Sequence, residues 1–280
     1  AMPRKARFES ANMEHPRTMV PRTQSLNTFI RLTAVALAAT LAGQFKLDVN
    51  YARARGYDTA LEAYLDKDGL DVAVHDNLIG AVNANLTPLH RYVELRKKAL
   101  GLDEVHLYDL YIPLVEGAAT EMAFLEAKPD NVTALAPLGE DYGRALAEGL
   151  DPANGWIDLY PHRDKDSGAF SSSVYGPHPW VFMNYKDTYD DMSTLAHEFG
   201  HALHSHLAMQ AQPYSSFRYV MFLAEVASTA NEMLLSDYLL ARTDDEAQRA
   251  ALLVERAFNM AELEAQNRRL AAAGNRAQHA

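Results

Sequence analysis

Cysteine is missing from all 280 residues. Its absence removes disulfide frameworks, thiolate metal sites and cysteine nucleophiles together. It also suits a cytoplasmic address, where thiol pairing has no structural use. Basic residues are in deficit: 26 Lys and Arg against 37 Asp and Glu leave a formal net charge of -11. A nucleic-acid backbone needs clustered cations, so nucleic acid is not an expected partner. Long apolar runs are scarce. The one membrane-like stretch, "LTAVALAATLAGQF" at 32–45, is short and alanine-rich for a bilayer span. An amphipathic or buried helix is expected there, in preference to a signal peptide, which Arg22 and Arg31 ahead of it would suit but its place some thirty residues in would not; no membrane partner is expected. Internal repeats and low-complexity tracts are absent, and nothing sets the oligomeric state.

What the chain does carry is ordinary globular composition, 48% hydrophobic and 22% charged. Residues 1–22 are polar, hold Pro3 and Pro16 and show no periodicity, so they read as a loose arm. Residues 23–280 read as one helical body. Within it Val74, Leu78 and Val82 share a stripe, and Thr87-Pro88 reads as the cap and first residue of "PLHRYVELRKKALG", closed by Gly101. The stretch 103–115 predicts an extended connector, and 130–149 a helix running through Pro137. From Trp156 the texture changes. "GWIDLYPHRDKDSGAFSSSVYGPHPWVFMNY" predicts two or three short strands with turns at Asp166-Ser167-Gly168 and Gly176-Pro177. Two long helices follow, about 189–210 and 217–241. The fold class is therefore mainly α, with a short β region at about 156–187 beside a histidine-bearing helix.

That helix carries "TLAHEFGHALHSH", residues 194–206. Thr188 with Asp191 makes a capping box that predicts its start. Met192, Leu195, Ala196, Phe199 and Leu203 follow at helical spacing as a buried stripe. His197, His201 and His204 lie on a neighbouring face. Four residues separate His197 from His201, one turn, which lets both bind one ion. Glu198 sits between them and to one side, where a carboxylate could act as general base on water without being a ligand. A bare HExxH also occurs by chance. Glu225 changes the weighing, because an ionised carboxylate amid Phe222, Leu223, Ala224, Val226 and Ala227 is costly unless paired or coordinated. It lies 225 - 201 = 24 residues beyond the second histidine, room for an antiparallel helix to return. His197, His201 and Glu225 then form a ligand set for one Zn2+ per chain with a fourth position open. A salt bridge to Arg218, or plain exposure, is the blander account of Glu225. Thr229, one turn on, reads as a hydrogen-bond partner of a ligand histidine or of its own backbone.

"HEFGHALHS" followed by "FLAEVASTANEMLLSDYLL" resembles the M3 family of zinc oligopeptidases, in its oligoendopeptidase F branch. "YARARGYDTALEAYL", "HRYVELRKKALGLDEVHLYDLY" and the segment from Trp156 resemble it too, so the likeness runs from about 45 to 245. The resemblance implies a helical, zincin-like metalloendopeptidase body that hydrolyses short peptides. It implies His197, His201 and Glu225 as ligands and Glu198 as catalytic base. His204 matches the motif's last histidine, a group beside the metal or substrate. Gly168, Tyr175, Gly176 and His178 match the family's cleft-side segment and are expected substrate contacts. Family members are roughly twice this length, and the later helices that bring them tyrosine and histidine for the oxyanion have no counterpart here. Tyr175, Tyr185 and Tyr214 are candidates to fill in. Three functions are weighed: a zinc peptidase, a catalytically silent zinc- or peptide-binding remnant of that family, and a helical interaction protein with an accidental motif.

Overall fold

A computed structural model describes residues 19–115, 121–254 and 256. Residues 1–18 of the expected arm lie outside the described residues, whereas 19–22 already belong to a helix. The chain divides after Val72 into two compact units.

In the first unit, α1 (Met19–Ala54) runs 36 residues and α2 (Ala60–Leu65) follows a short turn. Thr59 caps α2 by accepting from the Glu62 N–H, and Glu62 accepts in return from the Asp58 N–H. The apolar stretch of α1 is neither short nor buried. Leu32, Val35, Leu37, Leu41, Phe45 and Leu47 are all exposed. Spaced at 3.6 residues per turn they point all round the helix, so no single neighbour could cover them. Residues Arg31–Ala54 are long and apolar enough to cross a membrane by length and composition.

The second unit holds α3 (Val72–Ala84) from its second residue on, α4 (Thr87–Leu100), α5 (Phe124–Ala134), α6 (Glu140–Gly149), α7 (Tyr189–Ala211) and α8 (Met221–Arg242), with helical backbone resuming over 246–254. Gly101 ends α4 in a left-handed turn at φ 64, as its place after the last periodic residue predicts. Three expectations fail locally. Thr87 is not the cap of α4 but its first residue, after Leu86, and no side chain caps that end. The connector at 103–115 is not extended: His106 and Asp109 cap each other around a 3-10 turn at Leu107–Tyr111. The helix expected over 130–149 breaks at Ala136–Leu138, where Pro137 cannot donate and Gly139 adopts φ 101.

Three short strands, β1 (Ile157–Asp158), β2 (Phe170–Ser172) and β3 (Trp180–Phe182), pair in the order β1-β3-β2, parallel then antiparallel. Buried Lys165 pins the connection, donating to the Asp158 and Tyr160 carbonyls at 3.0 Å while pairing with the Asp158 carboxylate. Asn184 donates to the carbonyls of Asp166 and Gly168 and so holds the predicted turn there. Asp187, at φ 60, then turns the chain into α7. The Thr188–Asp191 capping box forms as read.

The core lies between α5, α6, the sheet, α7 and α8. Met192, Leu195, Ala196, Phe199 and Leu203 are essentially inaccessible, joined by Leu146, Leu150, Trp156, Val181, Met183 and Leu235. α7 and α8 form an antiparallel pair, since Ala196 meets Asn231, Gly200 meets Ser228 and Ser205 meets Tyr219. Asn231 stitches three helices: it donates to the Ala196 carbonyl at 2.9 Å and accepts from the Tyr142 hydroxyl at 2.9 Å.

Candidate metal centre

One turn of α7 puts the His197 and His201 Nε2 atoms 3.1 Å apart. α8 returns alongside and brings Glu225 Oε2 to 3.3 Å from the first and 3.4 Å from the second. Closeness of that degree needs the helix backbones nearly in contact, and Gly200 supplies it. A Cβ at position 200 would sit 2.5 Å from the Ser228 Cα and 2.7 Å from its nitrogen. Glycine is the one residue that lets α8 approach this far.

The triangle of donors tests whether a metal would fit. Ligand bonds of about 2.0–2.1 Å in a tetrahedral zinc site place neighbouring donors about 3.3–3.4 Å apart. Two of the observed separations, 3.3 and 3.4 Å, fall on that edge length, and the third, 3.1 Å, is about 0.2 Å short of it. His197 is a quarter exposed, His201 less, and Glu225 half exposed, so the centre opens on one side.

Each donor has a partner behind it. Ser228 Oγ donates to Glu225 Oε2 at 2.9 Å and to the Glu225 carbonyl at 3.0 Å. The His201 ring hydrogen-bonds the Ala224 backbone carbonyl. His197 Nδ1 lies 2.5 Å from Glu232 Oε1. Neither Ser228 nor Glu232 was singled out from the sequence. The signal was the helical period itself, which sets Ser228 one turn and Glu232 two turns beyond Glu225 on one face of α8.

Glu198 is buried, and its Oε2 has no hydrogen-bond partner among the described residues. Its carboxylate accepts from the Ser171 backbone on β2. Burial, and then the negative charge of Glu225, raise its pKa above the ordinary carboxylate value, against the pull of His197. A carboxylate that holds a proton more readily is better matched to taking one from water. Burial alone would lower the His197 pKa, yet the Glu232 hydrogen bond and the surrounding carboxylates hold it above the ordinary value. For His201 burial wins and the pKa falls. Burial also raises Asp190, with Asp191 and Glu232 adding to it.

The remaining expected residues lie around this centre with other engagements. His204 stacks flat on Tyr219, ring centres 3.8 Å apart, and its buried Nδ1 has no partner among the described residues. The pair lines a cavity of about 650 Å³ with Tyr142, Leu207, Phe217 and Ala227. Tyr175 donates to the Gln212 carbonyl at 3.2 Å and packs edge-on against Tyr214 and Phe217. His178 stacks on Trp156 and its Nδ1 contacts the Pro179 carbonyl at 2.8 Å. Gly168 and Gly176 adopt φ 93 and φ 113, turn geometry. Thr229 donates to the Glu225 carbonyl at 2.6 Å, so its hydroxyl serves its own helix, and it is Glu232 that meets His197. Among the oxyanion candidates, Tyr185 is buried and donates to the Met122 carbonyl at 2.8 Å, while Tyr214 is largely exposed. Arg218 lies over the Phe217 ring.

Residues 146–273 match the family model described as Peptidase family M3. The oligopeptidase PepF of Bacillus subtilis (strain 168) is 47% identical over 217 residues, 78% of this chain and 32% of that protein. A crystal structure from Chlamydophila abortus superposes with TM-score 0.65 at 37% identity, covering 80% of this chain and 37% of that one. The oligoendopeptidase-F of Enterococcus faecium superposes with TM-score 0.51 at 30% identity, covering 83% of this chain and 33% of that one. The chain spans about a third of the length of the curated relatives it matches.

Proposed function

We propose that the chain, whose residues 146–273 match the model of peptidase family M3, carries the catalytic centre of a zinc-dependent oligopeptidase. His197, His201 and Glu225 hold one zinc ion, and the observation that carries this is the tetrahedral edge length of their donor triangle. When bound, zinc supplies Lewis acidity at that point, polarising a carbonyl and easing loss of a proton from water. Glu198 takes that proton as water attacks the scissile carbonyl, and passes it to the departing amine as the C–N bond breaks. One water is consumed, and a carboxylate and an amine are released. The raised Glu198 pKa supports this exchange, since the group must hold the proton between the two transfers.

β2 is an edge strand, and its Ser171 backbone already touches Glu198. An extended short peptide adding to that edge would bring its carbonyl beside the base. Such an edge accepts an unstructured chain and excludes a folded one, so short peptides are the substrate class.

Glu198→Gln tests the base. The variant should bind zinc as the parent does and cleave an internally quenched peptide at least 100-fold more slowly, within the usual range for a lost general base. Equal cleavage rates would remove Glu198 from the role. A second reading has its own support, the coverage of only about a third of the curated relatives. A zinc- or peptide-binding module without turnover would titrate with zinc identically but release no product in a single-turnover assay at high protein concentration.

A further inference from the structure

α8 contributes twice to the centre. Glu225 faces the donor triangle, and Glu232, seven residues later on the same face, meets the far side of His197. Two turns of helix separate them, about 10.5 Å along the axis. His197 thus lies between two carboxylates, with Nδ1 2.5 Å from one and Nε2 3.3 Å from the other. His201 is held differently, against the neutral carbonyl of Ala224. The two imidazoles are chemically alike in sequence and unlike in support.

We propose that Glu232 is the positioning residue of the metal centre, keeping the proton of neutral His197 on Nδ1 so that the Nε2 lone pair faces Glu225 and His201. This rests on the zinc reading and deepens it. An imidazole has two nitrogens, and a neutral ring carries one proton between them. Were the proton on Nε2, the ring would offer the donor triangle a hydrogen instead of a lone pair. A carboxylate 2.5 Å from Nδ1 accepts a hydrogen bond there and settles the choice. Glu232 is well shielded, 18% exposed at its side chain, so water competes poorly for that bond. Its charge also makes Nε2 a stronger donor, which the Ala224 carbonyl does to a smaller degree for His201.

The test uses the full chain and two readouts. In the metal-free protein, 15N-correlated NMR of the His197 ring reports which nitrogen bears the proton. Zinc affinity is measured separately by competition with a chromophoric chelator. The parent should show the Nδ1–H form. Glu232→Ala should show a mixed ring and bind zinc 10- to 100-fold more weakly. Glu232→Gln keeps an acceptor oxygen without the charge, so it should restore the Nδ1–H form while recovering affinity only in part. That split is one a merely structural role would not produce. Should Glu232→Ala fold poorly, Glu232→Gln against the parent decides alone, through weaker zinc binding with an unchanged ring. An Nδ1–H ring in Glu232→Ala equal to the parent's would overturn the proposal whether or not zinc binds. If the parent binds no zinc while the ring still responds to Glu232, the zinc reading fails and the positioning stands.

Discussion

Gly200→Ala probes the close approach of α7 and α8. The added Cβ would stand 2.5 Å from the Ser228 Cα, 2.7 Å from its nitrogen and 2.8 Å from the Ala227 carbonyl oxygen. Carbon atoms in contact prefer about 3.5–4.0 Å, so α8 must retreat by roughly 1 Å. All three obstructing atoms are backbone and cannot rotate aside. Two energies compete. Overpacking costs about 1–3 kcal/mol, while replacing glycine by alanine inside a helix returns up to about 1 kcal/mol. The net change in the metal-free chain is thus a loss of about 0–3 kcal/mol, read from urea midpoints. The ligand triangle is less forgiving. Glu225 is one turn from Ser228, and metal sites tolerate about 0.2 Å in ligand distance, so a 1 Å retreat should weaken zinc binding at least tenfold. Gly143 in α6 provides the control, because a Cβ there meets nothing within 4 Å. Gly143→Ala should gain about 0.5–1 kcal/mol and leave zinc affinity unchanged. A Gly200→Ala protein that binds zinc within twofold of the parent would refute the argument that this glycine sets the ligand spacing.

Further outcomes follow from the same geometry. Asn231→Ala strands the Tyr142 hydroxyl and removes the tie to Ala196 at a fully buried position, and should cost about 1–3 kcal/mol per group left unsatisfied in thermal or urea unfolding. Zinc at 100 times its dissociation constant should stabilise the chain by about 2.7 kcal/mol, and excess chelator should reverse the gain. The metal-free chain should lose stability as pH falls through about 6.5. Burial depresses His204 and His201 in the folded state, so the unfolded chain binds their protons first and acid favours it. His197, raised, opposes this trend, being most stabilising when protonated. His204→Gln should flatten the acid limb of a plot of urea midpoint against pH, and an unchanged limb would exclude His204 as a source.

How much of this was legible beforehand depends on which interactions repeat at a fixed period. The buried stripe from Met192 to Leu203, the Thr188–Asp191 cap and the convergence of His197, His201 and Glu225 all follow from helical spacing plus the cost of an acid among apolar neighbours. Glu232 was not legible, because an acid on a helix face is usually a solvated group and only the partner helix reveals its use. Ser228 was hidden for the same reason. The 3-10 turn at Leu107–Tyr111 escaped because its cap is formed by His106, a rare capping residue beside better-known ones. The break at Pro137 is masked by helical composition on both sides, and the glycine two residues on makes the interruption complete. The exposed apolar surface of α1 was invisible because composition marks a helix as apolar without saying whether anything covers it.

Every candidate donor and its supporting carboxylate fall between residues 197 and 232, on one helical hairpin. Pairings so near in the chain close quickly, long before distant segments must find each other. A ribosome that has released α8 has already released the whole set. Ion capture during synthesis, ahead of any downstream segment, is therefore open to this polypeptide in a way it is not to centres gathered from remote stretches.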